Sequence, residues 1–219
     1  MMMKKLLPFF LSAVLIFGFT SCSKGEEEDD TPYIPTYISA SFDGVEINGI
    51  VWATRNVDMP GTFAEASHRF GMLYQWNRRT AWPIVFVNTG KREGWDDSLP
   101  ERSEWYAEND PCPEGWRVPT EEELKSLIGA GHIWATYQGV NGTVFGTAPN
   151  RIFLPAAGWS DRGIGSHFAV GIAGFYWSST LGDGVWYAVG SAYLFAGNDG
   201  VYYHWLWRNN AFSVRCVAK

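Results

Sequence analysis

Cys112-Pro113-Glu114-Gly115-Trp116-Arg117-Val118-Pro119-Thr120-Glu121-Glu122-Glu123-Leu124 brings a cysteine, a tryptophan, a proline-stiffened approach and a helix start together. Thr120 has the side chain of an N-cap. Glu123, three residues on, completes a capping box that satisfies two backbone N–H groups a helix start would otherwise leave orphaned. Leu124, Leu127 and Ile128 then fall at i, i+3 and i+4, which gives one apolar stripe. Gly129 or Gly131 stops the helix. Glu121 and Glu122 sit where the helix dipole favours negative charge. The acids beside Trp116 and Arg117 therefore read as parts of a fold anchor.

Downstream of this helix the pattern turns to strands. Ile152–Trp159 is apolar around Pro155. Phe175–Thr180, Val185–Phe195, Val201–Arg208 and Phe212–Ala218 are separated by the turn pairs Asp183-Gly184, Asp199-Gly200 and Asn209-Asn210. That spacing predicts an antiparallel meander. Upstream, Ile38–Phe42 and Val45–Ala53 read as strands around an Asp43-Gly44 hairpin turn, and Asn48-Gly49 adds a bend. Residues 60–79 show no clear period. Residues 80–110 hold Trp82, Trp95 and Trp105, and a structureless loop of that length is uncommon in a compact domain. Its aromatics predict that it packs onto the domain. Early strands, a middle helix and a late antiparallel sheet make an α+β domain over residues 37–219.

The N-terminus reads as an export signal. Lys4 and Lys5 precede an apolar run from Leu6 to Thr20 that is short of the roughly 20 residues needed to span a bilayer. Phe19-Thr20-Ser21-Cys22 resembles a lipobox, with Phe19 where Leu is usual. Cleavage after residue 21 and lipidation of Cys22 would anchor the chain to outer-membrane lipid; an ordinary secretory cleavage is the alternative. Residues 22–36 carry Glu26-Glu27-Glu28-Asp29-Asp30, a self-repelling tether. It resembles the acidic export signal of Bacteroidota surface lipoproteins, and a periplasm-facing linker is its plainer reading. The net charge of −6 opposes binding to nucleic acid. With Cys22 lipidated, Cys112 and Cys216 remain as an even pair in an oxidising compartment. They form either a disulfide or two buried thiols, and their spacing does not fit a metal site.

Four stretches resemble one family: Trp52-Ala53-Thr54-Arg55-Asn56-Val57, the Cys112–Thr120 stretch, Tyr176-Trp177-Ser178-Ser179-Thr180, and Phe212-Ser213-Val214-Arg215-Cys216-Val217. In this order they look like the Fibrobacter succinogenes major paralogous domain, with Asn56-Val57 where Asn-Leu is usual. The resemblance covers about residues 45–218. It implies a C-type lectin-like fold in a cell-surface setting, and a disulfide from the helix region to the last strand, which agrees with Cys112 and Cys216. It implies no defined activity.

No catalytic constellation stands out. His68, His132, His167 and His204 are scattered. Ser178-Ser179-Thr180 lacks a nucleophile elbow, and formylglycine generation would need a cysteine pair near the C-terminus. The motifs that sugar-binding C-type lectins use for calcium are absent. Asp96, Asp97, Asp183 and Asp199 remain as oxygen donors for a structural calcium, and no cofactor is expected. Twelve tryptophans are many for this length. In Tyr202-Tyr203-His204-Trp205-Leu206-Trp207, alternation puts Tyr203, Trp205 and Trp207 on one strand face. That face is the candidate binding platform for a glycan or a surface protein, unless the 80–110 loop covers it. A structural subunit of a surface complex is the competing expectation, and an enzyme is not expected.

Overall fold

The computed structural model describes residues 43–85, 91–100, 104–182 and 190–219. Cys22, the tether, the strand expected at Ile38–Phe42 and the Asp183-Gly184 turn lie outside them. In chain order the strands are β1 (Gly44–Ile47), β2 (Ile50–Ala53), β3 (Leu73–Gln75), β4 (Ala81–Trp82) and β5 (Trp116–Arg117). The helix α1 (Glu121–Gly129) follows. After it come β6 (His132–Tyr137), β7 (Val140–Thr147), β8 (Asn150–Pro155), β9 (Trp159–Ser160), β10 (His167–Phe168), β11 (Ala173–Leu181), β12 (Gly190–Gly197), β13 (Gly200–Trp207), β14 (Ala211–Phe212) and β15 (Val217–Ala218).

These strands form four antiparallel sheets, ordered β1-β2-β15-β5, β10-β9-β14-β3-β4, β11-β12-β13 and β6-β7-β8. Among the described residues α1 is the only α-helix. The fold is therefore sheet-rich, and α+β describes it only loosely. The difference comes from residues 132–151, for which the sequence offered no element. They form β6, β7 and the start of β8, with Tyr137 opposite Val140 across a tight Gln138-Gly139 turn. Both turn residues have positive φ, 51° and 76°, the backbone of a type I′ turn.

Three expected boundaries move. Val45–Ala53 is two strands, because the hairpin turns at Asn48-Gly49 (φ 53° and 78°) with Ile47 opposite Ile50. The β12–β13 turn is Asn198-Asp199, since Gly197 pairs with Gly200. Phe212–Ala218 is also not one strand. β14 joins β3 and β9, while β15 crosses to β2 and β5. The last strand thus closes onto both the first hairpin and the approach to α1. Cys112 and Cys216 form a disulfide at the same junction.

The helix start forms as its residues dictate. Thr120 Oγ1 accepts from the Glu123 N–H (3.3 Å), and Glu123 Oε2 accepts from the Thr120 N–H (2.8 Å). Arg117 forks onto the same carboxylate at 2.8 and 2.6 Å. Burial alone would raise the Glu123 pKa, but the Arg117 and Thr120 contacts outweigh it and hold it below the ordinary value. Thr120→Ala removes one arm of the box. It is expected to cost about 1 kcal/mol in urea unfolding, and wild-type stability in that variant would contradict the capping role.

Leu124 and Leu127 bury with Trp52, Phe145, Ile152, Leu154, Tyr176 and Leu194. A second, aromatic cluster holds Trp76, Phe175, Trp177, Tyr193 and Phe212, with Trp177 stacked on Phe212 at 4.1 Å between centroids. The loop tryptophans also go inside. Trp82 and Trp95 are buried against Leu73, and Trp105 packs on two clusters. Much of the aromatic excess is therefore core.

Candidate functional site

Strand β13 carries the expected platform residues. Its pairing with β12 sets Tyr202 opposite Phe195 and His204 opposite Tyr193. Tyr202 stacks on Phe195 (4.6 Å, 14°), and Leu206 packs on the aromatic cluster. Val201 packs instead on the cluster under α1, and the Lys125 ammonium of α1 lies 4.6 Å from the Tyr203 ring centroid. The alternation thus divides the strand between two environments. Tyr203 meets Trp205 edge-on at 5.8 Å, and the Arg162 guanidinium covers Trp207 at 4.2 Å. Solvent reaches both tyrosines: Tyr202 is 47% and Tyr203 39% exposed. Trp205 and Trp207 are only partly exposed. Among the platform residues, Tyr203 is therefore the accessible ring, and a cation already shares its face.

The other polar candidates serve the scaffold. Thr180 Oγ1 accepts from the Glu121 N–H at 3.0 Å, and the Ser179 N–H donates to Pro119 O at 2.7 Å. The Ser178–Thr180 stretch thus ties β11 to the start of α1. Asp96 pairs with Arg78, and Asp97 with Lys91. Among the described residues no group of three His, Cys, Asp or Glu side chains is placed to hold a metal ion.

The histidines do not converge. His68 and His132 each meet an aromatic ring at 5.9 Å. His167 is buried, with Nε2 donating to Ala157 O (2.7 Å) and Nδ1 accepting from Ser160 Oγ (3.1 Å). Burial lowers its pKa below 6.5, opposed by the Ala157 bond and helped by the Arg92 charge. The unfolded chain therefore takes up a proton at His167 that the folded one resists. Stability is expected to fall as pH drops through 6.5. Thermal melts from pH 7 to 5 should be flatter for His167→Gln, and an identical pH profile would count against this assignment.

Gln75, Asn77, Arg78, Arg79 and Trp82, none of them marked out as a site by the sequence pattern, line a polar cleft of about 760 Å³. A clue was available in Gln75-Trp76-Asn77-Arg78-Arg79, a dense run of side-chain donors in an acidic chain. Comparison with known protein families, with curated proteins and with solved structures returned no match.

Proposed function

We propose that this chain is a lipid-anchored cell-surface protein whose C-type lectin-like domain recognises a glycan or protein ligand without catalysing a reaction. The Cys22 lipobox and the acidic stretch after it support the anchor. The four family-like motifs support the fold reading, as does the disulfide from the α1 approach to the last strand. The observation that carries the recognition role is the exposure of Tyr202 and Tyr203 on β13. Tyrosine offers a large ring at low conformational cost, which suits it to interfaces. The test applies the full chain to a glycan array and to a cell-surface protein pull-down, with and without chelator. Tyr203→Ala should weaken any retention that runs through β13. Absence of binding in both formats would refute recognition.

A second reading, a structural subunit of a surface complex, draws on a different observation. Among the described residues β13 is one edge of its sheet, and an edge strand offers unpaired backbone groups to a partner strand. A stoichiometric partner that survives Tyr203→Ala would favour this reading.

A further inference from the structure

Two residues that line the cleft beside β3 and β4 carry buried polar atoms that the protein itself does not satisfy. Gln75 is fully buried and lines the cleft. Its Nε2 donates to Asn209 O (2.8 Å) and Asp96 O. Because both contacts are carbonyl oxygens, only the NH₂ end can face them, which fixes the amide orientation. Oε1 is then a buried acceptor without a protein donor. Trp82 also lines the cleft, and its buried Nε1 donates to no protein acceptor. Its ring is held in place by Trp95 (4.9 Å) and the Arg92 guanidinium (4.8 Å). Buried polar groups left unpaired are costly, so such a pair in one cleft calls for an outside partner.

The remaining lining narrows the chemistry. Arg78 is ion-paired with Asp96 and donates to Ser98. Arg79 makes long contacts, 3.3 and 3.4 Å, to the carbonyls of Asp110 and Glu108. Asn77 Oδ1 is taken by the Tyr106 N–H and Asn109 Nδ2. An orphan acceptor and an orphan donor on residues lining one cleft suit hydroxyl groups, since each hydroxyl both donates and accepts. Asp96 neutralises Arg78 and the chain's net charge of −6 opposes an anion, whereas Arg79, held only by carbonyls, adds a cation to the lining, so anions enter the test as competitors. The volume lies within the ordinary range for small-ligand sites.

We propose that this cleft binds a neutral polyhydroxylated ligand, a sugar unit, with Gln75 Oε1 accepting from one hydroxyl and Trp82 Nε1 donating to another. The proposal rests on the recognition reading but not on β13. The full chain is titrated with glucose, galactose, mannose and N-acetylglucosamine, and with glucuronate and inorganic phosphate as charged controls. Tryptophan fluorescence and calorimetry are the readouts. At least one neutral sugar should bind saturably, with no change on adding chelator. Trp82→Phe keeps an aromatic ring at the position but removes the N–H together with the five-membered ring, and should weaken that binding about three- to tenfold. Asp96→Asn disturbs a polar wall and should also weaken it. Each variant's melting temperature separates lost binding from lost folding. The cleft assignment is overturned if no neutral sugar binds, if only the anions bind, or if binding follows Tyr203→Ala and ignores Trp82→Phe. In the last case recognition through β13 would stand while the cleft falls.

Discussion

Replacing Cys112 and Cys216 together with alanine is expected to lower the unfolding free energy by about 4–5 kcal/mol. The bond joins residues 104 apart in sequence, and the entropy a crosslink removes from the unfolded chain grows with the loop it closes. The double replacement leaves no stray thiol. Little else at the junction should change, because the backbone already holds it. Val217 pairs with Arg117 and Ala218 with Trp116, and the Lys219 N–H donates to Gly115 O at 3.0 Å. The native fold should therefore survive with less margin, since domains of this kind hold only about 5–15 kcal/mol in total. Urea unfolding of wild type and variant measures the difference, and a reductant added to the unfolded wild type should reproduce the variant's midpoint. A loss below about 1 kcal/mol would mean that the unfolded chain is already compact around this pair.

How much of this was legible follows from how local each signal is. The α1 start was readable because Thr120, Glu123 and the leucine stripe act within two turns of one another. The β12–β13 hairpin was readable from alternation, although its turn lies one residue earlier than the Asp-Gly pair indicated. The β6–β7 hairpin was not readable. Gln138-Gly139 is a weaker turn signal than Asn-Gly, and the apolar face of β6 is short, with only Ala135 fully buried and Tyr137 packing partly beside it. Near the start, two good turn pairs competed. Asn48-Gly49 makes the hairpin, and its register leaves Ile47 and Trp52 buried. On β13 the face shared by Tyr203 and Trp205 was open to inference, but the cations from α1 and the 161–166 loop were not, because they arrive from other elements. Beyond the donor run Gln75–Arg79, the cleft was illegible for the same reason. Pro60, Gln75, Trp82, Asp96 and Asn109 meet through irregular connections that carry no period.

Arg215→Met is expected to cost about 3–5 kcal/mol, close to the cost of losing the disulfide. The side chain is fully buried. Nε and Nη2 both donate to Asn56 Oδ1 (3.0 and 2.7 Å), Nη1 donates to Ala53 O (3.1 Å), and Nη2 also reaches Phe153 O (2.9 Å). One guanidinium thus ties β15's approach to β2, to the Asn56 turn and to β8. Burial lowers its pKa to about 10, which still leaves it charged at neutral pH. The oxygens that accept these four bonds are neutral, so this is no ion pair that an apolar group of similar shape could replace at little cost. Two of the three acceptors are backbone carbonyls, and methionine would leave them dry. Arg215→Lys keeps the charge but loses the planar fork, so it should recover only part of the loss. Adding Asn56→Leu removes the side-chain acceptor, and the double variant should lose less than the two single changes together. Denaturant unfolding of the four proteins gives the cycle. A single-variant loss under about 1 kcal/mol, or strict additivity, would show that these oxygens do not depend on Arg215.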